Sequence, residues 1–175
     1  LRRQGLAALD AATGAVTPWD PAGFQGGDVY SLALSGSTVL AGGLFEGMGG
    51  QPRKNIVALD RATGLATAWS PAVENEETSV WPGPGQVRAL AIAGGTVYIG
   101  GCFSMVGGKQ RSRLAAVDEV SGLTTEWNPA AGGPVFSLSV SGGRVYAGGM
   151  FDSVGGVRRD FLAALDARTG IPTPW

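Results

Sequence analysis

The chain has 175 residues and a mass of 17.8 kDa, room for one domain with a buried core. Hydrophobic residues make up 44% of it, so disorder is not the default, while charged residues are only 15%, against roughly 25% in an ordinary soluble domain. The absence of histidine, a single cysteine and a net charge of −1 exclude His-based triads and metal sites, an intrachain disulfide or CxxC motif, and any overall pull toward nucleic acid or membrane.

The first predicted element is a hairpin within residues 1–19. LAALD reads as a buried strand, a turn through Gly14 follows, and a short strand ends at Trp19. The same pattern recurs at Asp60, Asp118 and Asp166, each with a glycine four residues on and a tryptophan nine residues on. A second signature alternates with it: VYSLALSGSTVLAGGLFEGMGG from Val29, VRALAIAGGTVYIGGCFSMVGG from Val87 and VFSLSVSGGRVYAGGMFDSVGG from Val135. Val29 and Trp69, Val87 and Trp127, and Val135 and Trp175 all lie 40 apart, and the connectors between units hold nine, 17 and seven residues. A constant unit with variable connectors is one supersecondary element repeated and joined by surface loops.

Each unit reads as four strands, A to D. Strand A is YSLALS, RALAIA or FSLSVS; a turn at Ser35-Gly36, Gly94-Gly95 or Gly142-Gly143 leads into B, which is TVLAGG, TVYIGG or RVYAGG. Strand C is IVALD, LAAVD or LAALD, and D closes on tryptophan. One face of A is bulky (Tyr30, Leu32 and Leu34, Leu90 and Ile92, Phe136, Leu138 and Val140) and the other small (Ser31 and Ala33, Ala89 and Ala91, Ser137 and Ser139), so bulky faces can stack on a neighbour's small face, and the glycine pairs within the B strands, Gly42-Gly43 and its copies, suit bulges or close strand approach. The expected fold is an all-β propeller segment of fourteen strands: a half blade at 1–19 and four-stranded antiparallel blades at 29–69, 87–127 and 135–175. A parallel β-helix is the competing fold, but its coils lack antiparallel hairpin turns. Three and a half blades do not close, and neither of two copies has a spare A-B hairpin to lend the other. The expectation is a piece of a larger propeller, or a form whose open ends drive self-association. The chain starts at Leu1, which also suits a segment of something longer. No apolar run reaches the ~18 residues of a membrane helix, and no signal peptide is visible.

The run GG-x-F-x-x-x-GG-x-x-R, followed by L-A-A-L-D-x-x-T-G-x-x-T-x-W, resembles the delta-60 or DUF5122-type propeller repeats of bacteria. It is also similar to the propellers of fungal cell-surface polarity proteins. The resemblance implies a secreted or cell-surface protein without known catalysis. A looser similarity to the quinoprotein repeat carries no cofactor with it, because four residues, not three, separate Gly14 from Trp19 and no quinone ligand set is recognisable. No cofactor and no metal site are expected.

The recurring aspartates suit Asx-type turns better than calcium sites, since each repeat supplies one acid. The tryptophans suit packing. Arg3, Arg53, Arg111 and Arg159 lie seven residues before the aspartates, where a guanidinium can tie backbone carbonyls together. With Lys54, Lys109, Arg113 and Arg158 they make the B-C loops basic, a face that can steer an acidic partner. The 69–87 connector adds Glu74, Glu76, Glu77 and Trp81 to the same face. Acids beside bases suggest pairing within the chain, and an exposed tryptophan on a long loop suggests binding. Cys102 reads as a small core residue.

The expected function is a noncatalytic binding or scaffold module of a secreted or cell-surface protein. It would use the loop face toward a protein or glycan partner, without nucleic acid and without membrane insertion. The alternatives are a structural spacer and a hydrolase or lyase with its site at the propeller channel, for which Arg88 and the A-strand serines are a thin set.

Overall fold

The structure, a computed structural model, describes residues 2–75 and 85–175. Its regular elements are strands paired antiparallel, and three units repeat. The first contains β1 (Gln25–Ser35), β2 (Thr38–Met48), β3 (Gln51–Pro52) and β4 (Ile56–Asp60). A connector strand β5 (Val73–Glu74) leads to the second unit: β6 (Gln86–Ala93), β7 (Thr96–Cys102), β8 (Met105–Val106), β9 (Lys109–Gln110) and β10 (Leu114–Asp118). The third holds β11 (Val135–Ser141), β12 (Arg144–Gly149), β13 (Ser153–Val154), β14 (Val157–Arg158) and β15 (Leu162–Asp166). In each, the A strand pairs with B and B with C, giving the sheets β1-β2-β4, β6-β7-β10 and β11-β12-β15. The result is an all-β propeller architecture, as the alternation and the turn chemistry predict.

The A-B turns are two-residue loops. Gly94-Gly95 and Gly142-Gly143 take positive φ at both positions, while the first unit turns at Gly36-Ser37, one residue later than Ser35-Gly36, because Ser35 is still paired with Thr38. Such loops match the right-handed twist of the strands they join. A second glycine pair in each unit closes a second, shorter hairpin: Gly107-Gly108 between β8 and β9, and Gly155-Gly156 between β13 and β14.

Strand D is present as a single bridge to strand C and not as a full ladder: Leu59 with Ala66, Val117 with Thr124, Leu165 with Pro172, and Leu9 with Val16 in the leading hairpin. The physical reason lies one residue further on. The carbonyls of Thr67, Thr125 and Thr173 accept a guanidinium hydrogen bond, from Arg53 (2.7 Å), Arg111 (2.6 Å) and Arg159 (2.8 Å), so they are not available to extend the sheet.

The bulky-on-small packing holds at both internal joins. Leu90 and Ile92 of the second unit pack with Ala33 of the first, and Leu138 and Val140 of the third pack with Ala91 and Ala93 of the second. The glycine pairs at the ends of the B strands serve this packing in two ways. A Cβ on Gly42 would run into the Val87 side chain of the next unit, and one on Gly100 would run into Val135. A Cβ on Gly43, Gly101 or Gly149 would strike the backbone of its own A strand, which bulges opposite the pair.

The tryptophans latch each unit to the next. Trp19 Nε1 donates to the carbonyl of Asp60 (3.4 Å), Trp69 to Asp118 (3.1 Å) and Trp127 to Asp166 (3.1 Å). Trp69 and Trp127 are 6% and 4% exposed, whereas Trp175 is 59% exposed.

Candidate functional site

The sheets have two rims. The A-B and C-D turns lie together on one: the N–H groups of Arg61, Glu119 and Ala167 donate to Ser37, Gly95 and Gly143 of the A-B turns. Its aspartates are turn-formers. Asp60 Oδ1 accepts from Ala62 N (3.0 Å), Thr63 N (2.8 Å) and Thr63 Oγ1 (2.8 Å), and Asp10, Asp118 and Asp166 repeat the set. The Thr63 hydroxyl and N–H hold the Asp60 carboxyl below the usual aspartate range; Asp10 and Asp166 are lowered in the same way, and Asp118 by the Ser121 N–H first and its hydroxyl second. Among the described residues no three Asp, Glu or Cys side chains converge as metal ligands would.

The B-C and D-A segments form the other rim, where most of the residues expected to bind are placed. Here β5, from the D-A connector, pairs with β8 of the next unit's B-C segment, and Ala131 bridges Val154 in the same way at the following join. Arg53, Arg111 and Arg159 sit inside this rim. Besides the threonine carbonyl each takes that of the residue before it, Pro52 (2.8 Å), Gln110 (2.7 Å) and Arg158 (2.9 Å). Arg3 does the same work toward Thr17 and Trp19 and pairs with Asp20 at 3.4 Å. Arg113, at φ 64°, reaches across to the Ala131 carbonyl (3.1 Å); its counterpart Asn55, at φ 66°, donates to the Val73 carbonyl (2.7 Å).

Three pairs of charged side chains that do not repeat lie at the surface of this rim. Lys54 meets Glu74, Lys109 meets Glu126 (3.0 Å) and Arg158 meets Asp160 (3.4 Å). The Glu74 carboxylate raises the Lys54 ammonium above its ordinary value, and Lys109 lowers Glu126 below its own. Glu46, Lys54, Asn55 and Glu74 also line a cleft of about 320 Å³ at the first join, beside the bulged start of β1 at Gly26. Two carboxylates and an amine at its wall suit polar or charged groups better than an apolar ligand. Glu76, Glu77 and Trp81 lie outside the described residues.

The glycine pairs permit bulges and close strand approach, as their place within strands suggests, but alternation did not show which A-strand residues bulge, and it wrongly set Tyr30 and Phe136 on the bulky face. The bulges opposite the glycine pairs fall on equivalent residues, Tyr30, Arg88 and Phe136. A bulge re-aims the extra side chain. The Arg88 guanidinium lies 4.1 Å from the Tyr30 ring centroid, and its Nε and Nη2 donate to Gln86 Oε1 at 2.9 and 2.6 Å. The signal was present only as the offset between a valine and a glycine pair, which has no meaning until the two strands are paired. Cys102 is buried, and burial pushes its thiol pKa up, away from nucleophilic use.

No protein-family model matches the sequence, and no curated protein does. Solved structures match the fold. BamB from Moraxella catarrhalis aligns over 97% of this chain and 46% of its own, at 24% identity and a TM-score of 0.55. The computationally designed Ika8 protein aligns over 91% of this chain and 52% of its own, at 15% identity and a TM-score of 0.50. The chain therefore spans about half the length of these two structures and shares their fold.

Proposed function

We propose that this chain is a noncatalytic binding or scaffold module that presents its loop rim to a protein partner outside the cytoplasm. The carrying observation is how the two kinds of residue are used. The strictly repeated groups (aspartate, threonine or serine, glycine, tryptophan, arginine) are consumed in turns, latches and carbonyl ties. The groups that differ between units, among them Lys54, Glu74, Lys109, Glu126 and Arg158, stand at the surface of one rim. A surface that varies on an invariant frame is where loops carry recognition. The motif likeness to delta-60-type repeats supports the extracellular placement. Trp81, Glu76 and Glu77 belong to the same proposed surface through the connector that carries them.

A photo-crosslinking residue placed at Lys109 or Lys54, compared with one at Thr13 on the turn rim, tests the reading in extracts of the source cells. The loop-rim probes should capture a defined protein that the turn-rim probe does not, and reversing the charge of Lys54, Lys109 and Arg158 together should release it. Equal capture from both rims, or none from the loop rim, sinks the proposal and leaves the spacer role. Turnover on a substrate panel that vanishes in Arg88→Ala would instead support an enzyme working at the inner strands.

A further inference from the structure

We propose that the loop-side mouth of the propeller channel holds a site for an organic carboxylate, with the Arg88 guanidinium as the fork that receives it and the Tyr30 ring as the plate on which that fork rests. The inference concerns the inner strands and does not rest on the loop-rim reading.

The position follows from the sheets. In each unit the A strand is the free edge of its sheet, and the A strands of neighbouring units lie against one another. That places β1, β6 and β11 around the propeller axis. The bulge on each falls near its loop-side end, opposite the glycine pair of the B strand, and takes one side chain out of the alternation: Tyr30, Arg88 and Phe136. Arg88 stands on the middle unit, so the strands that flank it on both sides belong to this chain.

Two neighbours fix the guanidinium. Its Nε and Nη2 donate to Gln86 Oε1 at 2.9 and 2.6 Å, and its Cζ lies 4.1 Å from the Tyr30 ring centroid. Gln86 is only 7% exposed, so this acceptor is itself held by the protein. The first unit uses the same spacing: Asp28, two residues before the bulged Tyr30, accepts from its hydroxyl at 3.3 Å. The difference is charge. A carboxylate at position 86 would neutralise the guanidinium it orients, whereas the Gln86 amide orients it and leaves the charge unpaired. Among the described residues no carboxylate forms an ion pair with Arg88. The buried Cys102 thiol lies beside it and is only a weak acceptor.

The edge that remains determines the ligand. Arg53, Arg111 and Arg159 give both of their terminal nitrogens to backbone carbonyls. Arg88 gives Gln86 only its side edge. The end-on edge, Nη1 with the second Nη2 hydrogen, carries two parallel N–H groups, the geometry that meets both oxygens of a carboxylate. Aromatic side chains, Tyr30 and Phe136, hold the equivalent places on the flanking strands, so an apolar body beside the carboxylate would find rings on either side. The pair of Arg88 with Gln86 occurs in one unit of the three, where the others carry Tyr30 with Asp28 and Phe136 with Pro134. The frame does not require it, which leaves it free for recognition.

NMR of the 175-residue chain with isotope-labelled arginine tests this. The Arg88 Nε–H signal, assigned by its loss in Arg88→Lys, should move saturably with para-fluorobenzoate in about the millimolar range, as suits a fragment of that size. It should not move with benzylamine, which has the ring without the carboxylate. Affinities of the variants are read from the fluorine signal of the same probe. Arg88→Lys keeps the charge and loses the fork, and Gln86→Glu keeps the fork in place and pairs it internally; each should weaken binding about tenfold or more. Far-UV circular dichroism and unchanged melting temperatures show that both variants fold. A free carboxylate and a glutamate side chain of a partner polypeptide share this chemistry. A tighter response to an acetylated peptide carrying one glutamate assigns the site to a polypeptide, and a tighter response to para-fluorobenzoate assigns it to a small molecule. An Arg88 signal that neither probe moves overturns the inference. So does an affinity that Arg88→Lys and Gln86→Glu leave unchanged, since binding would then follow general attraction between charges. The titration is repeated in the longest polypeptide that contains this chain, and an Arg88 signal that responds in the chain but not there also overturns it, because a carboxylate of the same polypeptide would already hold the fork.

Discussion

The two rims of this propeller are built from the same repeated chain and differ in what repeats. On the turn rim the aspartate, hydroxyl and glycine are set down four times with the same bonds, and Trp19, Trp69 and Trp127 carry the latch across to the following turn. On the loop rim the arginine and the glycine pair of the short hairpin are constant, and around them the connector length, the charges and the pairing partners change from unit to unit. The contrast separates two kinds of selection within one sequence. A residue used identically at every join serves the join. A residue that occurs once can be exchanged without disturbing the frame, and so can serve recognition.

That division can be broken most directly at a latch. Trp127→Ala removes a buried indole and its hydrogen bond at an internal join and should cost about 3–5 kcal/mol. Trp175→Ala, the same residue type at the same repeat position but 59% exposed in this chain, should stay within about 0.5 kcal/mol. Urea unfolding of the two variants decides it, and similar losses would mean that the latch works within its own unit and not between units. Gly100→Ala comes next. Its Cβ would press on Val135 and Leu138 of the next unit, an overpacking cost of about 1–3 kcal/mol.

The loop rim should show its own split. Arg111 is 7% exposed and ties Gln110 to Thr125, so Arg111→Ala should cost about 1–3 kcal/mol through the carbonyls it abandons. Lys109→Ala, two residues away, breaks only an exposed pair with Glu126 and a contact to the Thr124 carbonyl, and the melting temperature should barely move. If Lys109→Ala proved as damaging as Arg111→Ala, the paired surface charges would belong to the frame and the proposed binding rim would lose its basis.

Much of the frame was legible in the sequence because repetition turns a weak local pattern into a strong one. The C strands Ile56–Asp60, Leu114–Asp118 and Leu162–Asp166 coincide with the IVALD, LAAVD and LAALD runs, since an apolar stretch ending in a turn-forming aspartate is unambiguous when seen in series. The bulky and small faces of the A strands were legible from Leu32, Leu90 and Leu138 onward, but period-two alternation misplaced Tyr30 and Phe136, because a bulge at each of them breaks the period. The hairpins β8-β9 and β13-β14 were not, although Gly107-Gly108 and Gly155-Gly156 mark their turns: strands of two residues show no alternation. Strand D looked like a full strand because its sequence does not reveal that an arginine fourteen residues earlier claims its carbonyl. The loop-rim pairs Lys54–Glu74 and Lys109–Glu126 were legible only as acids near bases, because a contact formed once leaves no repeat to read.

The smallest expected effect is the most specific to the comparison. Both rims hold carboxylates with lowered pKa, for different reasons. Asp60 is lowered first by the Thr63 hydroxyl and then by its N–H, and Asp118 by the Ser121 N–H and hydroxyl; these are neutral donors in contact with the oxygen. Glu126 is lowered by a hydrogen bond and by the charge of Lys109. Because the native values lie below the unfolded ones, each group contributes stability that is present above the ordinary carboxylate range and is lost as pH falls through its native pKa. Salt separates the two causes. At 1 M ionic strength the Debye length shrinks to about 3 Å, which screens an exposed ion pair but leaves a hydrogen-bonded turn intact. Carboxyl carbon chemical shifts followed through an acid titration at low and high salt should show Glu126 returning toward its ordinary value while Asp60 and Asp118 stay lowered. Asp118→Asn, which keeps the acceptor oxygen but has no charge to titrate, should make the acid limb of stability shallower by one of the four aspartates' shares, in either salt. If the aspartates moved with salt as Glu126 does, charge and not turn geometry would be holding the turn rim, and the distinction between the two rims would reduce to one of position.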